Sequence, residues 1–556
     1  MTPTRHLFLL ACTLWAVTLL TVSPSAREPR HAREKVPQPD LSLFSHSENC
    51  LACHNTLLSA AGEDVSIGAT WRSTMMANSA RDPYWQAGVR RETIDHPTRS
   101  ADIQNECAAC HMPMAQKIAH AAGGKGEVFA HLPIAGPHTS ALQRLASDGI
   151  SCTVCHQIAP DKLGTRDSFN ANFSLLPTRG DGTRLIFGPS PVDTGRQSIM
   201  RSVTGFVQSE AIHIKQSELC ASCHTLITEA YGPNGEVIGS LPEQMNYPEW
   251  QHSAFSTEAR SCQSCHMPAV VGPIRVSSVL GDTRDQLSQH VFVGGNAFMV
   301  RMLNRYRNEL GVRALPAELE ATARATTRQL QDDTATLSLS PVEINGTHLA
   351  FDVEVRNLTG HKFPTGYPSR RAWLHVAVRS GDAIVFESGA VEPTGAIRGN
   401  DSDVDPQRYE PHYERITQPD QVQIYEPILG DSRGTPTTGL LTATHYLKDN
   451  RLLPRGFEKS TAPAEIAVYG AAADDADFAA SGDRVRYAVD VAGDGPYSIE
   501  VELRYQSIGF RWAHNLESYD AAEPTRFVTY YRSMSSTSSI VVATTRAQLA
   551  RRTSTD

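Results

Sequence analysis

Ten of the eleven cysteines fall into five C-x-x-C pairs, and a histidine follows each pair at once. The five sets are Cys50/Cys53/His54, Cys107/Cys110/His111, Cys152/Cys155/His156, Cys220/Cys223/His224 and Cys262/Cys265/His266. Residues three and four apart on a helical turn share one face. Two thiols so placed can form thioethers to two vinyl groups of one macrocycle, and the imidazole then reaches the metal at its centre. This is the attachment chemistry of c-type haem, with His54, His111, His156, His224 and His266 as proximal iron ligands. Zinc needs paired units to close a four-ligand site, and five units do not pair evenly. A thioredoxin-like redox dithiol does not recur five times in one chain. The motifs begin at Cys50, Cys107, Cys152, Cys220 and Cys262, too close together for five separate haem domains. One shared fold is expected, with five covalently bound haems packed closely enough to exchange electrons.

The sixth iron ligand separates a wire from a catalyst. Histidine on both sides saturates the iron, methionine raises its potential, and an open position admits a substrate. Non-motif histidines in this half are His31, His46, His96, His120, His131, His138, His213, His252 and His290. The candidate distal ligands are His138, His213 and His290, with Met75 as the thioether candidate. The competing readings are a propionate-bonding or surface role for each histidine and core filling for Met75. Met112 and Met267 follow motif histidines in His-Met-Pro order and are expected to pack on porphyrin. No C-x-x-C-K occurs, so a lysine-ligated haem is not supported.

The elements that must hold these residues change character along the chain. The fold class expected is α+β and multidomain, with a mostly helical and loop-rich haem domain over 41–295, a helical connector over 296–333, and an antiparallel β-sandwich over 334–545. In the connector Phe298, Met302, Tyr306 and Leu310 recur every four residues, Gly311 stops the helix, and Pro316 restarts one. Beyond it the period becomes two: Leu349, Phe351, Val353 and Val355 alternate with polar residues, as do Val485 to Val491 and Ile499 to Tyr505. Asn345-Gly346 is a hairpin turn. Asp401, Asp403 and Asp405 stand at alternate positions and offer a Ca²⁺ loop, with a solvated acidic loop as the competing reading. The segment from Asn357 to Leu374 interrupts the strand pattern with Gly, Pro, His and Arg, and such interruptions mark an edge or a close approach. It is expected to face the haem domain, with His361 as a further distal candidate and Arg370 and Arg371 as propionate partners. A plain interdomain contact without a metal role is the alternative.

The N-terminus reads as a targeting segment. Arg5 and His6 precede an apolar run from Leu7 to Val22, and small residues up to Ala26 supply a cleavage site. A signal peptide over 1–26 and a flexible leader over 27–40 follow, with a tail over 546–556. The protein is then periplasmic or otherwise exported, with membrane association only through partners or an uncleaved N-terminus. The full chain has 556 residues, 40% hydrophobic and 20% charged, the balance of a globular protein. Its formal charge of −9 argues against a nucleic-acid partner.

The phrases Ala146–His156, Ser217–His224 and Ser261–Pro268, with the loop Gly360–Gly366, resemble multihaem cytochromes c of the cytochrome c-554/hydroxylamine oxidoreductase-like class, in a bacterial branch with a C-terminal β domain. The resemblance covers roughly residues 45–540. It implies haem attachment at the motif residues and electron transfer, and it leaves the substrate open. Nothing in the five motifs marks the tyrosine-crosslinked catalytic haem of the hydroxylamine oxidoreductases.

Two functions remain in view. One is an electron-transfer protein between a redox donor and a redox acceptor protein. The other is an oxidoreductase acting on a small nitrogen or sulfur compound at one haem with an open distal site, with His361, Lys362 and His412 as acid–base groups. The number of filled distal positions discriminates them. Oligomeric state is not legible.

Overall fold

The computed structural model describes residues 39–480, 482–491 and 495–550. The signal-peptide region, the leader up to residue 38, Cys12, His31 and the tail from 551 lie outside them. The chain is α+β, with short helices and loops in the first half and largely antiparallel sheets in the second. From Pro39 onward the elements form one contact unit. Among the described residues no helix is long and apolar enough to cross a membrane.

The helices of the first half that bear on the motifs are α1 (Ser47–Leu51), α2 (Pro83–Asp95), α3 (Ser100–His111), α4 (Cys152–Cys155), α5 (Ser217–Ala221), α6 (Asn246–Gln251), α7 (Ala254–Thr257) and α8 (Cys262–His266). Each motif has its first cysteine on one of α1, α3, α4, α5 and α8. Most of these helices are single turns, too short to persist without tertiary support. The longer α2 has a local cause. Asp82 accepts hydrogen bonds from the Tyr84 and Trp85 amides at 2.9 and 3.3 Å, and Pro83 occupies the first position, where its missing N–H costs nothing. The buried apolar residues of this half are divided among several small clusters, and Cys107, Cys110 and Cys223 pack at their margins.

The connector folds into α9 (Ala297–Arg305) and α10 (Pro316–Asp332). Gly311 turns the chain between them at φ +65°, and Glu318 accepts the Leu315 amide at 2.9 Å to cap α10. The connector is not a free linker. Phe298, Met302 and Leu303 of α9 and Leu319 and Ala323 of α10 share one core with Ala87 of α2 and with Phe527 and Tyr531 of a late helix, α11 (Ala522–Met534).

The sandwich is built from β1 (Ala335–Leu339), β2 (Glu343–Asn345), β3 (His348–Asn357), β4 (Arg371–Ser380), β5 (Ala383–Ser388), β6 (Arg415–Ile416), β7 (Ile424–Tyr425), β8 (Asp483–Asp490), β9 (Tyr497–Gln506) and β10 (Ser539–Leu549). One sheet has the order β5-β4-β9-β10, with β7 also on β4. The other has the order β6-β8-β3-β1, with β2 also on β3. The period-two pattern sets which side chains meet. Phe351 lies opposite Tyr487 and Val353 opposite Val485 in one sheet, while Val376 faces Val501 and Leu374 faces Leu503 in the other. All eight are buried in a single core between the sheets.

Within this half one expectation is corrected. Arg371 does not reach outward. Its guanidinium makes a two-pronged pair with Asp403 at 2.8 and 2.9 Å and donates to Gln506 at 2.8 Å, wholly inside the β half. That engages both Asp403 oxygens, and the neighbouring aspartates of the expected Ca²⁺ loop also find protein partners. Asp401 pairs instead with Arg408, and Asp405 accepts the Gln407 amide.

Candidate haem sites

Each motif is positioned by a helical turn. The His54, His156 and His224 amides bond to the carbonyls of Cys50, Cys152 and Cys220 at 3.0, 3.1 and 2.9 Å, and His111 and His266 end α3 and α8. Four of the five imidazoles are then oriented by a backbone carbonyl from a distant segment. Nδ1 of His54 donates to Val276 at 2.7 Å, of His111 to Ser79 at 3.2 Å, of His156 to Phe187 at 2.6 Å and of His266 to Val293 at 2.5 Å. A carbonyl can only accept, so Nδ1 holds the proton and the Nε2 lone pair is free. A neighbour that fixes tautomer and ring orientation in this way is the usual companion of a metal-binding histidine.

Two of these rings face a second imidazole. His290 lies 6.3 Å from His156, centre to centre, with the planes 19° apart. His361 lies 6.2 Å from His266 with the planes 15° apart. Metal–imidazole bonds of about 2 Å on either side of one ion place the ring centres about 6 Å apart. Both opposing rings also hold the same tautomer. Nδ1 of His290 donates to Ser288 at 3.1 Å and Nδ1 of His361 to Lys362 at 2.8 Å. Burial pushes His290 down to about 3 and His111, His224 and His361 to about 4. These rings are therefore neutral, the form that binds metal, over the ordinary pH range.

The ten described motif cysteines form no disulfide, and the motifs lie beside one another. The Cys50 and Cys152 thiols lie close enough to perturb each other's titration, as do Cys110 and Cys223, and Cys220 and Cys262. Cys155 is raised to about 12, by burial first and by the nearby Cys223 second. The first motif thus touches the third, and the fourth touches the second and fifth. Free thiols, oriented neutral imidazoles and apolar clusters divided around the cysteines fit the requirements of covalent haem.

Cys53 and Cys265, the second thiols of the first and fifth motifs, depart from this pattern. The spacing places Cys53 on one helical face with Cys50, but α1 ends at Leu51, two residues before it. Cys53 sits instead in a turn that its amide closes on the Cys50 carbonyl at 3.2 Å, and its own carbonyl accepts the Ser278 amide and hydroxyl at 2.8 and 3.0 Å. Cys223 leaves α5 in the same way, with its amide 3.2 Å from the Cys220 carbonyl. Cys265 stays on α8, where its Sγ lies 3.8 Å from the Arg260 guanidinium and 3.8 Å from the Ser264 hydroxyl. Both Cys53 and Cys265 are half-buried. The close packing expected of the first and fifth motifs therefore runs through Cys50 and Cys262 rather than through these two thiols.

The other expected ligands are engaged differently. His213 directs Nε2 to the Ile158 carbonyl at 2.9 Å and sits edge-on to Phe187. His138 approaches the Ser147 hydroxyl through Nε2 at 3.4 Å. Met75 packs on the core that α9, α10 and α11 share. Arg370 donates to the Thr365 carbonyl at 2.6 Å and lies close enough to lower both His224 and His361. Lys362 is fully buried, with Nζ 2.7 Å from Asp449. His412 lies inside the β half. Gln423 and Asn450 donate to its Nδ1 at 2.8 and 3.1 Å, so Nε2 carries the proton and donates to Asp475 at 3.0 Å. This protonated nitrogen makes the His412/Asp475/Asp483 cluster a hydrogen-bonded network rather than a metal site.

Sequence reasoning missed the surroundings of the second motif. Trp85 stacks on His111 with the ring planes parallel and the ring centres 4.4 Å apart. Glu106, Glu243 and Glu92 all act on Cys107. Burial and neighbouring carboxylates push Glu106 up to about 7 and Glu243 to about 8. Tyr84 and Tyr367 meet edge to face beside them, ring centres 5.7 Å apart. The residues come from distant segments, so no local spacing signals the group.

No family model matches the sequence, and no curated protein does. Among solved structures the chain is similar to a penta-haem cytochrome c552 from Thermochromatium tepidum, at 15% identity and a TM-score of 0.49, over 91% of this chain and 100% of the other.

Proposed function

We propose that this chain is an exported pentahaem c-type cytochrome, of the cytochrome c-554/hydroxylamine oxidoreductase-like class, that carries electrons between a redox donor and a redox acceptor protein. The observation that carries the reading is the two pairs of opposed imidazoles, His156/His290 and His266/His361, each ring bonded through Nδ1 to a carbonyl. Bound haem supplies a one-electron iron couple. The chain's part is to fix that group. Each cysteine pair, Cys50/Cys53 and Cys262/Cys265 included, would anchor it through two thioethers, and the following imidazole would offer Nε2 to the iron. His290 and His361 would hold the groups at the third and fifth motifs through Nε2 and would leave no room there for a substrate. The contacts between motifs set neighbouring groups close together, as transfer within the chain requires. Export suits covalent attachment, which takes place outside the cytoplasm.

Haem content tests this reading. The protein matured with its export signal intact should carry five haems per chain by pyridine haemochrome and intact mass. A stable, fully folded chain carrying two or three would contradict it.

A second reading is favoured at the second motif, where Trp85 covers His111 and Glu243 lies nearby. A carboxyl that stays protonated near neutral pH can deliver a proton. There the chain would act as an oxidoreductase on a small nitrogen or sulfur compound at an open distal position. Cyanide or nitric oxide binding to one haem of the oxidised or reduced protein distinguishes the two readings.

A further inference from the structure

Glu249 is fully buried on α6, in the stretch of chain that leads into the fifth motif. Its carboxylate reaches across to the β half. Oε2 accepts from the Thr365 hydroxyl at 2.5 Å and from the Lys362 amide at 3.2 Å, and Oε1 lies 2.9 Å from Arg451. The Lys362 amide directly follows His361, and the Lys362 carbonyl accepts the His361 Nδ1 proton at 2.8 Å. One carboxylate therefore grips the residue that orients the imidazole. The charges are balanced on the spot. Lys362 and Arg451 both contact Asp449 at 2.7 Å, and all four charged groups are buried. The backbone closes in beside them. A Cβ on Gly360 would stand 3.0 Å from the Phe255 ring of α7.

We propose that Glu249 is a positioning residue that holds the His361 loop against the fifth motif, so that the β half delivers a ligand to a haem anchored in the other half. The proposal rests on the reading of His361 as a distal ligand. A carboxylate suits the task because charge-assisted hydrogen bonds are shorter and stronger than neutral ones. The Thr365 and Lys362 bonds lock the loop from one side, while Asn357 and Thr359 each hold the His361 carbonyl at 2.8 Å from the other.

The test uses the full holoprotein and reads cyanide uptake, spin state and the midpoint potential of the affected haem. Glu249→Gln keeps an acceptor but loses the charge, and Thr365→Val removes one bond without stranding a buried charge. Both should raise the population with His361 released. In Glu249→Gln one haem should take up cyanide about tenfold faster than in the parent protein. Thr365→Val should move in the same direction by less, and both should shift one midpoint potential. Glu258→Gln breaks an exposed pair with Arg455 at the same boundary and should leave all three readouts unchanged. Parent-like cyanide kinetics and potentials in both loop variants, with a high-spin haem in His361→Ala, would overturn the role of Glu249 and leave the ligand assignment standing. Five unchanged spectra in His361→Ala would overturn both.

Discussion

At the scale of single residues, the direction of each Nε2 separates the histidines proposed as distal ligands from the other candidates. His290 and His361 have free Nε2 atoms facing motif rings, whereas His213 and His412 direct Nε2 toward protein oxygens. His290→Ala should therefore turn one haem from low to high spin and leave its counterpart at the fifth motif unchanged, as read by magnetic circular dichroism of the oxidised protein. Glu243 gives a pH prediction. Its folded-state value, about 8, lies above the ordinary 4.5 because burial disfavours the charged form. The folded chain keeps a proton that the unfolded chain releases, so stability is lost as pH rises from about 4.5 to 8. Glu243→Gln, a mimic of the protonated form, should be more stable than the parent at pH 8 by roughly 1–3 kcal/mol and nearly equal at pH 4.5. Equal thermal stabilities at pH 8 would argue against a charge cost at this position. The motif residues were legible because their chemistry is written in a five-residue spacing. That spacing does not say where a helix stops, which is why Cys53 lies in a turn beyond α1 while Cys265 stays on α8. Glu249 and Trp85 were not legible. Glu249 and Thr365, for example, are 116 positions apart and meet only in the fold.

At the scale of elements, alternation in Leu349–Val355 and Ile499–Tyr505 announces strands because the pattern is local and sets the buried face. It does not name the partner strand. β8 and β9 are neighbours in sequence, yet β8 pairs with β3 and β9 with β4 and β10, so the chain crosses the sandwich between them. The Arg371 misreading has a similar cause. An arginine at the end of a Gly- and Pro-rich loop looks outward in sequence, but it is the first residue of β4 and turns inward to Asp403. Arg371→Leu leaves Asp403 buried without its cation and should cost about 3–5 kcal/mol in denaturant unfolding. Haem spectra should stay unchanged in the folded variant. A selective change in one haem would instead assign Arg371 a role at that group.

At the scale of the whole molecule, the boundaries expected at 295 and 333 do not correspond to gaps in packing. Ala87 of the first half, the connector helices and α11 share one core. Glu92 accepts the Leu440 and Leu441 amides at 3.0 and 3.3 Å, and Tyr446 donates to Pro242 at 2.6 Å. A chain ending at 295 would expose that core and lack His361. It should fail to accumulate as a stable five-haem protein in the same export system that matures the full chain. A soluble, protease-resistant fragment with five haems would show that the first half folds alone. Composition announced a large globular chain, but an interface built from scattered residues leaves no mark in composition.

The central claim is that opposed, nearly parallel imidazoles hold two of the five haems. Low-temperature electron paramagnetic resonance of the fully oxidised holoprotein, integrated per haem, tests it most directly. Planes 19° and 15° apart predict at least two ferric haems with low-spin rhombic signals of bis-histidine type. A spectrum without low-spin bis-histidine intensity, in a protein carrying all five haems, would contradict the account.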